Sequence, residues 1–203
     1  AARSVAFVLL LVGFGTKMGL APMHTWKPDT YGEAPSLVSG LMAGALTSCA
    51  FVGVARITQV AMAAGLGPFV QPILLGFGLL SLGVAAAFII GQNDLKRLLA
   101  YSSVEHMGLL VTGLGIGGAG AYGTVLHLVN NGLTKSWLFL VAGNVVLATG
   151  SSAASSNRGL VRTLPVSGAL LVLGLFAITG SPPFGLFLSE LTILRAAIGA
   201  GHP

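Results

Sequence analysis

His127, Asn131 and Lys135 recur at four-residue intervals inside an otherwise apolar run. On a helix of 3.6 residues per turn that spacing places all three on one stripe. Asn130 and Thr134 lie beside it. Imidazole, amide and amine groups in a row can carry a chain of hydrogen bonds. Desolvation favours the neutral amine, so a lysine in such a place can exchange protons. The chemistry indicated is proton transfer, and three further places repeat the theme. Lys17 sits in the run Gly13-Phe14-Gly15-Thr16-Lys17-Met18-Gly19, and His24 follows on the same face if the helix continues past Pro22. Glu190 lies in Phe187-Leu188-Ser189-Glu190-Leu191, downstream of Pro182-Pro183, where a carboxyl can load and release a proton. Glu105 and His106 are neighbours in the first turns of another apolar run and therefore point to different faces.

A charge near the middle of a bilayer costs about 2.5–3.5 kcal/mol on insertion scales, so it needs a partner, water or a function. Lys17 lies ~21 Å of helix from Arg3, too deep to reach the interface easily. The competing reading of each group is structural: an ion pair, or a polar contact between helices. Asparagine alone would suit that reading on the stripe, whereas histidine together with lysine favours proton transfer. Cost favours transfer for Lys17 and Glu190 as well. For Glu105 and His106 both readings stay open.

These groups must be held by membrane-spanning helices. The 203 residues are 54% hydrophobic and 7% charged, with a mean hydropathy of +0.91. A soluble domain carries roughly a quarter charged residues. Six apolar segments are expected, near residues 4–23, 36–64, 72–90, 98–116, 122–149 and 164–200, each long enough to span a bilayer. The last is too long for one crossing and is cut by Ser181-Pro182-Pro183. Two prolines remove two backbone donors and break a helix, and the carbonyls they free must face protein or a wet cavity. The expected fold is an all-α, polytopic membrane bundle of about six spans with discontinuous helices. The first and sixth segments both carry a proline near an ionisable residue, which suggests repeat symmetry. Lys27, Lys96, Arg97, Arg158 and Arg162 fall in loops of one side, and Arg3, Arg56 and Arg195 on the other. The excess places the first side in the cytoplasm. Trp26 and Trp137 fit aromatic belts.

Other classes are excluded. The net charge of +5 comes without any basic cluster interleaved with aromatics, so no nucleic-acid partner is expected. Cys49, the single cysteine, forms no internal disulfide or thiolate cluster, and reads as a buried small residue. No metal site is expected. Gly113-x-Gly115-x-Gly117-Gly118 follows no strand and is not a dinucleotide fingerprint. The chain opens Ala1-Ala2-Arg3 into a lysine-bearing run that lacks a cleavage motif, so it is not a signal peptide and reads as part of a longer protein.

Four long motifs now carry a resemblance. They are Lys17-Met18-Gly19-Leu20-Ala21-Pro22-Met23-His24-Thr25-Trp26-Lys27-Pro28-Asp29 with Glu33-Ala34-Pro35-Ser36; Asn93-Asp94-Leu95-Lys96-Arg97 through Tyr101-Ser102-Ser103-Val104-Glu105-His106-Met107-Gly108; His127-x3-Asn131-x3-Lys135 with Leu138-Phe139-Leu140; and Pro182-Pro183-Phe184-Gly185-x-Phe187-x-Ser189-Glu190. Together they resemble the antiporter-like subunits of respiratory complex I and group 4 membrane-bound hydrogenases. The Glu-His-Met-Gly and Pro-Pro-Phe-Gly forms look closest to the hydrogenase-4 component F branch.

The resemblance implies a larger inverted-repeat fold, of which residues 1–203 would be a single bundle from the middle and later part. It implies a central line of Lys, His and Glu residues, in which Lys17 is the lysine of the first broken helix, Lys135 that of the line and Glu190 the acid of the second broken helix. His24, Glu105, His106, His127 and Asn131 complete the expected proton path. The implied function is proton translocation within a hydrogenase-4-like or NADH:quinone oxidoreductase-like complex of a bacterial or archaeal plasma membrane. This chain would be a non-catalytic subunit beside other membrane subunits and peripheral redox subunits. Ni-Fe and iron–sulfur centres would sit in those partners, with no cofactor in this chain. The alternative is a cation/proton antiporter subunit without redox partners. Two departures matter: Thr47-Ser48 stand where many relatives carry Lys or His, and Asn131 replaces a frequent His.

Overall fold

A computed structural model describes residues 2–201. The described residues are mainly helical and contain no strand, only one isolated bridge between Asp94 and Ala153. The long elements are α1 (Ala2–Met18), α5 (Gly67–Ile89), α6 (Leu95–Ile116) and α7 (Ala119–Thr149), with a short α2 (Trp26–Glu33) after α1. Between α2 and α5, α3 (Ser36–Leu41) and α4 (Thr47–Ala63) run as one helix through a π-helical turn at Met42–Leu46. A short α8 (Leu160–Thr163) leads into α9 (Pro165–Ile178) and α10 (Gly185–Gly199).

Among the described residues, three helices are long and apolar enough to cross a membrane by length and composition: Ser36–Ala63, Gly67–Ile89 and Ala119–Thr149. Of the other expected crossings, α1 has 17 residues and α6 has 22. α6 carries Lys96, Arg97, Glu105 and His106 along its length. The expected double-proline break is present. α9 stops at Ile178, and α10 starts at Gly185, leaving halves of 14 and 15 residues.

The helices share two buried apolar clusters. One gathers Phe7, Leu11 and Met18 of α1 with Val54 of α4, Leu74 of α5 and Met107 and Leu110 of α6. The other gathers Tyr31, Leu99, Leu138, Phe139, Leu171 and Leu186, so it joins α2, α6, α7, α9 and α10. Outward positions are also apolar: Leu9, Val60, Leu79, Val129, Leu133 and Phe176 are all exposed, as lipid-facing residues must be. Cys49 is exposed too, on this outer face, rather than a buried small residue.

The loop grouping by side is seen in part: Lys96 and Arg97 stand where the loops meet, whereas Lys27 lies in α2 and is buried. Lys96 Nζ donates to the Gly32 and Ala34 carbonyls at 2.7 and 2.6 Å, and Arg97 pairs with Asp29 at 2.9 Å. Ala154 N–H donates to Asn93 O, and Ser152 bonds Asp94. The loops after α2, α5 and α7 therefore meet at one end. Arg3 and Arg56 line a common groove at the other. Trp26 and Trp137 pack against the second apolar cluster.

Candidate functional site

At the first break the chain leaves α1 at Met18 and turns through Gly19 at φ +78°, a left-handed position natural to glycine. A helix end exposes carbonyls that need donors. Here the Trp26 indole donates to Thr16 O at 2.9 Å, Leu20 N–H to Gly15 O at 2.8 Å, and Lys27 Nζ to Met18 O at 2.8 Å, with Ser103 O at 3.5 Å. Lys27 is fully buried. Its Nζ stands 5.6 Å from the Tyr31 ring centroid, a cation–π arrangement. A Cβ on Gly19 would come within 2.5 Å of Lys27 Cδ, so the left-handed glycine also leaves room for the lysine stem.

Two sequence expectations change here. Lys17 was expected to point into the bundle, but it is exposed. Lys27 was expected in an interfacial loop and is instead the buried lysine of this break. The physical reason is the turn at Gly19. It ends the helix, so the assumed common face of Lys17 and His24 does not exist. His24 is buried, with Nδ1 unbonded.

The stripe on α7 is formed as its spacing indicates: His127, Asn131 and Lys135 are 0%, 1% and 0% exposed. Lys135 Nζ donates to Leu99 O on α6 at 3.0 Å. Across from His127, α6 presents His106, whose Nδ1 lies 2.9 Å from His127 Nε2. His127 Nδ1 in turn lies 2.9 Å from Ser189 Oγ on α10. The direction of these bonds follows from the far end. Ser189 Oγ donates to Leu186 O at 2.8 Å, and a carbonyl can only accept. Ser189 then accepts from His127 Nδ1–H, which leaves His127 Nε2 to accept from His106 Nδ1–H. Both rings are neutral in that arrangement, and His106 Nε2 keeps a free lone pair without a partner. Asn131 Oδ1 is likewise buried and unbonded.

The second break supplies the acid. Gly180, at φ +63°, sits against the Glu190 carboxylate one helix later, where a side chain at 180 would collide with it. The break satisfies itself with short backbone bonds: Thr179, Gly180 and Ser181 N–H donate to Leu175, Ala177 and Phe176 carbonyls. Glu190, Glu105 and His106 line one cavity of about 630 Å³ together with Ser102, Thr179 and Gly180. Both carboxyls are half-buried. Glu105 is close enough to act on Lys135 and on Glu190, and Lys27 on Lys135 and His106.

Six of the expected residues thus converge on one polar region: Glu105, His106, His127, Asn131, Lys135 and Glu190. Ser189 and Lys27 were not picked out from the sequence. Ser189 directly precedes Glu190 and has the small hydroxyl that a helix crossing tolerates. Lys27 stands in a polar stretch that reads as a loop.

Residues 1–203 match the family described as NADH:quinone oxidoreductase/Mrp antiporter, TM. The chain belongs to this family. It is 37% identical over 195 residues to the hydrogenase-4 component F homolog of Methylacidiphilum infernorum, covering 96% of this chain and 41% of that protein. In the Mrp complex of Dietzia sp. a chain superposes with a TM-score of 0.91 at 23% identity, over 97% of this chain and 37% of that one, a likeness of fold alone. In respiratory complex I of Thermus thermophilus the TM-score is 0.82 at 29% identity, over 98% and 43%. The chain thus spans about two-fifths of the length of these relatives. It is an antiporter-like membrane protein chain, and its relatives are subunits of multi-subunit membrane complexes.

Proposed function

We propose that the chain translocates protons, as part of a membrane subunit of a hydrogenase-4-like or NADH:quinone oxidoreductase-like complex in a bacterial or archaeal plasma membrane. The observation that carries the reading is the hydrogen-bonded line His106–His127–Ser189, flanked by Lys135 on one side and by Glu105 and Glu190 on the other, inside an apolar bundle. A proton delivered from the cavity reaches His106 Nε2, the free acceptor. The Nδ1 proton of the same ring then passes to His127 Nε2 across 2.9 Å. Each imidazole relays by gaining a proton at one nitrogen and losing it at the other.

Lys135 is the switch in this reading. Its amine is buried, bonded to one carbonyl and close to the charge of Glu105. Its protonation changes the field at both histidines, so charge on Glu105 and Glu190 is coupled to occupancy of the wire. Lys17, on the outer surface, exchanges protons with groups beyond the described bundle, and His24 serves the buried side of the same break. Redox centres, Ni-Fe and iron–sulfur, belong to partner subunits.

The test is proton uptake by vesicles carrying the full-length protein in its complex. Lys135→Met should leave assembly intact and abolish most uptake, and Lys135→Arg should also impair it, because guanidinium stays protonated. Full uptake by an assembled Lys135→Met complex would remove the reading. Co-purification with a Ni-Fe or iron–sulfur subunit separates it from a free-standing cation/proton antiporter.

A further inference from the structure

The meeting of α6, α7 and α10 has a property that proton relay does not require. One ligand atom from each of His106, His127 and Glu190 lies within 4.8 Å of the other two. Two imidazoles and a carboxylate form a donor set suited to a borderline transition-metal cation, with water from a cavity as fourth ligand. We infer that His106, His127 and Glu190 form a binding site for Zn²⁺, occupied from the cavity that His106 and Glu190 line.

The spacing needs little change. Zinc–nitrogen bonds of about 2.0–2.1 Å in a tetrahedron set the two nitrogens about 3.3 Å apart. His106 Nδ1 and His127 Nε2 stand at 2.9 Å, so the rings part by a few tenths of an ångström. The cation replaces the proton the two nitrogens share. That proton moves to His106 Nε2, the atom now without a partner.

The outer groups also suit. A ligating imidazole usually donates its second N–H to an acceptor that fixes the ring. For His127 this is Ser189 Oγ at 2.9 Å. For His106 the Ile178 carbonyl, at the end of α9, faces the ring. The turn after α9 supplies backbone donors to Leu175, Phe176 and Ala177 and leaves the Ile178 carbonyl for the ring. Glu190 lies against the glycine turn at Gly180, which leaves its carboxylate room beside the rings. Around the site Glu105 favours a cation, whereas Lys135 and Lys27 oppose it. Hard cations gain little from two imidazoles, so Mg²⁺ is not a ligand for this site.

Metal binding is independent of what the protein transports. Its consequence, that Zn²⁺ blocks the wire by tying up both rings, rests on the proton path proposed above. The probe is Co²⁺, which takes zinc sites and reports coordination through its visible absorption. The full-length protein in its complex, stripped with chelator, should take up one Co²⁺ with four- or five-coordinate bands, displaced by Zn²⁺ and not by Mg²⁺. Glu190→Gln keeps the shape and should weaken the bands, and His106→Gln should remove them, with assembly checked by size. Absence of bands in the unaltered complex overturns the site, as do unchanged bands in both variants. In the same vesicles Zn²⁺ should inhibit proton uptake. Bands without inhibition would leave the site standing and count against the proton path through the two histidines.

Discussion

The two helix breaks solve the same backbone problem in opposite ways. At the first, the loose carbonyls of α1 take donors from side chains: Trp26 caps Thr16, and Lys27 caps Met18. The result is closed, with Lys27 and Tyr31 fully buried. At the second, the backbone bonds to itself between Leu175 and Ser181, and the only side chain that joins in among the described residues is the short Thr179 hydroxyl, which donates to Leu175 O and Phe176 O. Glu190 then faces a cavity rather than a carbonyl. A proline break can therefore be a brace or a port. Which it becomes depends on whether a long polar side chain folds back over the helix end.

The comparison predicts its largest contrast between the two buried lysines. Lys135 bonds Leu99 O, a carbonyl that also accepts from Ser103 Oγ at 3.0 Å. Lys135→Met orphans no acceptor, so the complex should assemble with near-normal thermal stability and lose nearly all proton uptake. Marked destabilisation without a specific loss of uptake would show Lys135 to be a brace as well.

Lys27→Met should do the reverse. Met18 O at the end of α1 loses the donor that caps it, and a buried unsatisfied acceptor costs about 1–3 kcal/mol. The expected outcome is a lowered unfolding midpoint of the detergent-solubilised protein, with residual uptake in whatever fraction assembles. A stable variant with no uptake would make the first break part of the wire.

Gly180→Ala probes the port. An alanine at φ +63° costs about 1–2 kcal/mol in strain, and its Cβ would push the Glu190 carboxylate from its seat. Uptake should fall several-fold while Gly19→Ala, at the first break, mainly lowers stability. Equal effects on uptake would erase the distinction between brace and port.

The sequence was legible wherever local spacing decides the outcome. The double proline dictates a break, and the four-residue spacing of His127, Asn131 and Lys135 dictates a stripe. Both stand in the fold. It was illegible where a turn resets the helical phase. The shared face of Lys17 and His24 fails because one left-handed glycine ends the helix, and the cost of a deep charge pointed to Lys17 where the returning chain buries Lys27. Partnerships across helices were hidden for a different reason. His106 meets His127, and His127 meets Ser189, over 21 and 62 residues of chain. No periodicity records which faces of α6, α7 and α10 will oppose. Cys49 was misjudged because an apolar run in a membrane bundle has two apolar environments, interior and lipid, which hydropathy does not separate.

The smallest expected effect lies at the membrane end, where Lys96 and Arg97 stand side by side in the sequence. Arg97 pairs with Asp29 at 2.9 Å, but the two side chains are 43% and 71% exposed. Water and salt screen such a pair, and its worth is at most about 1 kcal/mol. Lys96 has no such screening: it is 7% exposed, and its ammonium donates to both Gly32 O and Ala34 O, where α2 ends before Pro35. The residue before a proline is pushed out of the helix, and Ala34 is extended at ψ 151°, so the carbonyls at this end lose their next helical donors and the lysine supplies them, as Lys27 does at the end of α1. Arg97→Gln should therefore shift the unfolding midpoint barely, and Lys96→Gln should shift it clearly more, although both remove one positive charge from neighbouring positions. Thermal unfolding of the two variants in the same detergent checks this. If Arg97→Gln proved the more damaging, exposed ion pairing rather than carbonyl capping would be what holds this end of α2 to α6.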